Sequence, residues 1–95
     1  MYGVVRTRRF ERSFRKLKKS GLLKASLRRE IDAVIIRLAE GTTLSTTYQD
    51  HQLTGGLSAY RECHIKGDLL LVYERRDEVL VLLLIDIGSH SQIFG

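Results

Sequence analysis

Phe10, Phe14 and Leu17 recur at intervals of four and three, the spacing of one helix face, and nearly every position between them is basic. Thr7 stands before this run with a side-chain oxygen suited to capping it, and Ser20-Gly21 close it. Leu23, Leu27, Ile31, Val34, Ile35 and Leu38 repeat the spacing and predict a second helix from about Leu22 to Ala39, stopped by Gly41. The connection is short, so the two helices should fold back as a hairpin with apolar stripes inward and basic groups outward. Gly3–Thr7 is a short β-type run fit for an edge strand. Residues 42–58 keep no period, and Gly55-Gly56 mark a turn there.

From Tyr60 to Tyr73 the pattern is two strands around a turn at Lys66-Gly67, where Gly67 supplies the positive φ such turns need. Alternation puts Tyr60, Glu62 and His64 on one face and Arg61, Cys63 and Ile65 on the other, with His64 opposite Leu69. Residues 75–78 read as a further turn. Val79–Ile87 is apolar at almost every position, which predicts a central strand covered on both faces, and Gly88 ends it. Together these elements predict an α+β fold in one domain over residues 1–95. An N-terminal strand and a two-helix hairpin pack on one face of a mostly antiparallel, four-stranded sheet. The opposite face, or a groove along its edge, is then free for a ligand.

Charge changes the picture. Residues 6–29 carry eleven Lys and Arg against one acid, Glu11, a local charge of +10 within a chain of net charge +5. That asymmetry suits a polyanion or an acidic protein partner, or simply a solvated helical face. The single cysteine, Cys63, permits no internal disulfide and fits a reducing compartment. The longest apolar run is far shorter than the roughly 18–20 residues of a membrane helix, and no signal-peptide pattern is visible. These features predict a cytoplasmic, soluble protein with no membrane partner.

Candidate chemistry gathers in the C-terminal half. His51, His64 and His90 can exchange protons near neutral pH. Cleavage of RNA by internal transfer needs a base for the 2′-hydroxyl proton, an acid for the departing 5′-oxygen and a cation near the phosphate. Two histidines, a carboxylate and an arginine suffice for that without a metal. Each histidine taken alone reads better as an ordinary surface or satisfied residue than as a catalytic one. No two histidines stand three to five apart, and Cys63 alternates away from His64, so no familiar zinc spacing is present and neither metal nor cofactor is expected. Glu62 and Asp68 can orient a histidine or act as base, or pair with Arg61 and Lys66. Tyr48, Tyr60, Tyr73 and Phe94 can stack on a base, although core packing suits Tyr60 and Tyr73 better.

The segments DHQL at 50–53, GLSAYRECHIKGDLLLVY at 56–73 and GSHSQIFG at 88–95 resemble the YafQ branch of the RelE superfamily. These are bacterial type II toxin–antitoxin toxins that cleave mRNA on the translating ribosome. The resemblance implies a RelE-like fold, with His51, His64 and His90 as active-site histidines, Glu62 and Asp68 as acidic positions and Phe94 as the C-terminal aromatic. It implies His90 as acid for the leaving oxygen, Asp68 or His64 as base, and His51 positioning or protonating the phosphate. The products would be a 2′,3′-cyclic phosphate and a 5′-hydroxyl. The family often carries Arg four residues before the terminal histidine, where this chain has Asp86. The cation must then come from elsewhere, with Arg61, Arg75 and Arg76 as candidates. The basic helices, Lys18 and Lys19 included, acquire a use against ribosomal phosphates. The implied partners are mRNA on the ribosome, a cognate antitoxin, and operator DNA only through the toxin–antitoxin complex. A non-enzymatic relative on the same architecture, acting on gyrase or another partner, is the alternative. The histidine set argues against it.

Overall fold

The computed structural model describes residues 1–95. Its elements are β1 (Gly3–Arg6), α1 (Arg8–Lys19), α2 (Ala25–Ala39), β2 (His51–Gln52), β3 (Arg61–Lys66), β4 (Leu69–Arg76), β5 (Val81–Gly88) and α3 (His90–Phe94). The strands form one sheet in the order β1-β5-β4-β3-β2. β1 runs parallel to β5 and the remaining pairs are antiparallel. This is the expected α+β arrangement with one strand more than the four predicted. The added strand is β2, two residues long, which has too few positions for alternation to show.

The helices form where the sequence places them because their ends are specified. Thr7 Oγ1 accepts from the Phe10 amide at 3.2 Å and donates to the Leu84 carbonyl at 2.8 Å, so the cap of α1 also ties it to β5. Gly21 and Gly41 take φ of 81° and 78°, the left-handed conformation of a helix stop. Helix α2 begins at Ala25 and not near Leu22. Lys24 is extended at its N-cap, without a side-chain hydrogen bond, and Leu22 is left exposed in the connection. Phe10 and Phe14 of α1 and Ile31, Val34 and Leu38 of α2 meet Cys63, Leu71, Tyr73, Leu82 and Leu84 of the sheet in one core of fifteen buried residues. Arg6 lies over both phenyl rings, at 5.1 and 5.0 Å from their centroids, so part of the basic surface is packed on the core's edge.

Register departs from the sequence expectation in the hairpin. The turn is Gly67-Asp68 with Lys66 opposite Leu69, and Gly67 has φ 58°. A bulge between His64 and Lys66 absorbs Ile65, which sets His64 opposite Leu70 and not Leu69. The next turn is residues 77–80 and β5 starts at Val81, because Val79 and Leu80 are exposed and Leu80 takes φ 52°. The strand buried on both faces is β4. It occupies the middle of the sheet and is buried at every position from Leu69 to Tyr73, whereas β5 alternates until its last three residues.

Candidate active site on the open face of the sheet

Residues 42–58, without period in sequence, contain two single 3-10 turns, Thr46–Tyr48 and Gly55–Leu57, on either side of β2. Between the first turn and β2, Gln49 takes the left-handed conformation, φ 49° and ψ 41°, uncommon for a residue with a Cβ. It swings Asp50 under the sheet. There Asp50 Oδ1 accepts from the Tyr73 hydroxyl at 2.6 Å and from Arg61 Nε at 3.3 Å. Tyr73 has no exposed surface, and burial followed by the bond to Asp50 pushes its phenol pKa up, so the hydroxyl remains a donor. Burial works against the charge on Arg61, but the neighbouring Tyr73 oxygen and the Asp50 carboxylate outweigh it, and the guanidinium is held protonated.

With Asp50 anchored below, His51 projects to the other face. Its Nδ1 lies 2.6 Å from the Gln49 carbonyl. A carbonyl only accepts, so Nδ1 carries the hydrogen and Nε2 is turned toward β3. In register beside it stands Glu62, whose Oε1 is 3.6 Å from His51 Nε2 and 3.7 Å from His64 Nε2. The Glu62 side chain is 7% exposed while the two rings are 50% and 33% exposed. One sunken carboxylate thus lies between two accessible imidazoles, each just beyond hydrogen-bond reach. Such a group can hold and pass protons.

His90 and Phe94 form a second unit. Ser89 Oγ accepts from the Gln92 amide at 3.2 Å, and Gln92 Oε1 accepts from the Ser89 amide at 2.8 Å, a reciprocal cap that starts α3 immediately after β5. His90 and Phe94, one turn apart, have ring centroids separated by 5.0 Å. Phe94 lines a depression of about 250 Å³ with Leu57, Tyr60, Val72 and Ile85. Two rows of register link the units. His51, Glu62, Val72 and Asp86 form one, and His64, Leu70 and Gly88 the next, with His90 two residues beyond. His51, Glu62 and His64 are therefore brought into contact, and His90 stands two strands across the same sheet without touching them. Asp68, in the β3–β4 turn, lines a separate groove of about 780 Å³ with Lys16, Lys24, Lys66 and Ser89.

None of the sequence-predicted cations faces Glu62. Arg61 serves Asp50 on the helix side. Arg75 donates to the Leu38 carbonyl at 3.3 Å and lies over the Tyr2 and Tyr73 rings, joining α2 to the sheet. Arg76 pairs with Glu74 at 3.1 Å, and Lys18 and Lys19 are exposed in the last turn of α1. Cys63 has no exposed surface, and burial pushes its thiol up to about 12, which makes it inert. Sequence reasoning missed the structural part of Asp50 and Gln49 and the helix α3. The last had a signal in Ser89-x-x-Gln92, a capping-box pattern. No group of three or more His, Cys, Asp or Glu side chains is arranged to hold a metal ion.

Residues 2–95 match the family described as bacterial toxin of type II toxin-antitoxin system, YafQ. A YafQ toxin of Haemophilus influenzae is 45% identical over 51 residues, 52% of this chain and 50% of the relative. The mRNA interferase toxin YafQ of Escherichia coli K12 is 35% identical over 52 residues, 55% of this chain and 54% of the relative. The aligned stretch thus spans about half the length of these curated relatives. A copper-bound mutant toxin from Helicobacter pylori superposes with a TM-score of 0.87 at 36% identity, covering 99% of this chain and 100% of that one. The toxin of the E. coli DinJ-YafQ complex superposes with a TM-score of 0.83 at 22% identity over the full length of both chains, a likeness of fold. The chain belongs to the YafQ family of bacterial toxins of type II toxin–antitoxin systems.

Proposed function

We propose that this chain is an endoribonuclease toxin that cleaves translated mRNA on the ribosome by acid–base chemistry and is neutralised by a cognate antitoxin. The observation that carries the reading is the Glu62 carboxylate set between His51 Nε2 and His64 Nε2 on the open face of the sheet. In the reaction the ribose 2′-oxygen bonds to phosphorus as a base removes its proton. The bond from phosphorus to the 5′-oxygen then breaks as an acid protonates that oxygen. A 2′,3′-cyclic phosphate and a 5′-hydroxyl result, with no oxidant, reductant or added nucleophile.

His64 is the base this geometry favours over Asp68, because its Nε2 faces Glu62 whereas Asp68 faces the other groove. His51 donates its Nδ1 hydrogen to Gln49, so its Nε2 can donate to a phosphate oxygen when the ring is protonated, and the Glu62 carboxylate stands beside that atom. His90 protonates the leaving oxygen from across the sheet, and Phe94 and Tyr60 flank the depression in which a base can stack. The names of relatives support this reading: one is an mRNA interferase and another was solved with its DinJ partner. The basic face of α1 suits ribosomal phosphate and an acidic antitoxin segment alike, and operator DNA would be met only through the antitoxin complex.

The test is primer extension on a message translated in the presence of the protein, with chemical analysis of the new ends. Stops inside codons with cyclic phosphate ends are expected from the wild-type chain and not from His90→Ala, with the variant's circular dichroism unchanged. Intact message together with damaged DNA would instead support the gyrase route.

A further inference from the structure

We propose that Arg9 is the cation that binds the scissile phosphate in this site. The inference rests on the ribonuclease reading above and supplies a part that reading lacks. The open face carries two carboxylates, Glu62 and Asp86, with side chains only 7% and 6% exposed. A phosphodiester would be repelled there unless a cation faced it. Arg61, Arg75 and Arg76 are engaged elsewhere, as described. Asp86 is answered from within the fold: it accepts from the Ile87 amide at 2.8 Å, from Ser13 Oγ at 2.5 Å and from Arg9 Nε at 2.8 Å.

That last bond turns the Arg9 guanidinium over the sheet. Its Nη2 makes a long contact of 3.4 Å with the Ile93 carbonyl, in the helix that carries His90 and Phe94. A guanidinium has five N–H donors in one plane. Two are used here, which leaves an unpaired edge on a side chain 59% exposed. Arg9 lines the same depression as Tyr60, Val72 and Phe94. Asp86 is in register with Val72, and Val72 with Glu62, so the two positions stand about 10 Å apart across two strand spacings. Arg9 thus lies on the side of His90 and Phe94, facing the His51–Glu62–His64 group across that gap. Charge builds on the non-bridging oxygens as the 2′-oxygen attacks, and a planar fork held by its inner edge can meet two of them without reorganising.

The rival explanation is that Arg9 only ties α3 to α1. Single-turnover cleavage on ribosomes at saturating toxin separates the two, read beside the NMR resonances of the His90 ring, which Phe94 shifts. Arg9→Ala is expected to slow cleavage by about 10²–10³-fold. Arg9→Lys, which keeps the charge and loses the fork, should fall between it and the wild type. The His90 resonances should not move in either. Arg9→Ala with Asp86→Asn removes both charges and should be as slow as Arg9→Ala, which covers the case in which an unpaired Asp86 unfolds the single variant. Cleavage within about threefold of wild type in the double variant would overturn the proposal. So would a loss that tracks displaced His90 resonances. An inactive wild-type chain would overturn the ribonuclease reading itself, a result distinct from either.

Discussion

Tyr73→Phe removes a single oxygen from a side chain with no exposed surface, and the consequences can be worked through. The hydroxyl donates at 2.6 Å to Asp50, an acceptor whose side chain is 16% exposed. A hydrogen bond to a charged acceptor contributes about 1.5–3 kcal/mol. Arg61 Nε remains on the same oxygen at 3.3 Å, which limits the loss, so about 2 kcal/mol is expected. For a chain of this size that lowers the melting temperature by about 8–16 °C. Urea unfolding followed by circular dichroism should show a lower midpoint with an unchanged slope. In an Asp50→Ala background the same substitution should cost at least about 1 kcal/mol less, because the two groups share one bond. The variant should also cleave RNA more slowly, since Asp50 is what turns His51 toward Glu62. A loss below about 0.5 kcal/mol, or an equal loss with and without Asp50, would refute the claim that this bond anchors β2.

Thr7→Ala should cost about 1–2 kcal/mol in urea unfolding, because it removes both the α1 cap and the bond to the Leu84 carbonyl. Gly88→Ala places a Cβ 2.9 Å from Gln92 Oε1, the atom that caps Ser89. Its hydrogen-exchange protection in α3 should fall, and its cleavage rate with it, while β4 stays protected. Cys63 and Tyr73 make stability sensitive to alkali. The folded thiol is held up at about 12, against about 9 for a free one, and the folded phenol is also raised. Above about pH 9 the unfolded chain therefore loses protons that the folded chain keeps. Stability is full below that pH and falls above it, first through the thiol and, above about pH 10, through the phenol as well. Cys63→Ala should remove the slope between pH 9 and 10 in urea titrations, and an unaltered slope there would contradict the burial argument.

Much of this fold could be read ahead of the coordinates because it is specified locally. Thr7, Gly21 and Gly41 bound helices whose apolar stripes run at three and four, and Gly67 sits at positive φ in its turn. The face shared by Glu62 and His64 followed from alternation alone. What was hidden depends on partners remote in sequence or on elements too short to show a period. Pairing of β1 with β5 joins residues about eighty positions apart, and a two-residue β2 carries no pattern. The bulge at Ile65 moved the register by one because hairpin alternation cannot see an extra residue. Arg9 and Asp86 are 77 positions apart, and Arg9 reads in sequence as one more charge on a solvated helix.

The account stands on the three histidines acting in one reaction, and the measurement closest to that claim is the single-turnover cleavage rate of the His64→Ala, His90→Ala double variant beside its two parents. Groups that serve one transition state are not additive. The double variant should therefore cleave no more than about threefold more slowly than the slower single variant. Losses that multiply, or single variants as fast as the wild type, would contradict a shared site on the open face of the sheet.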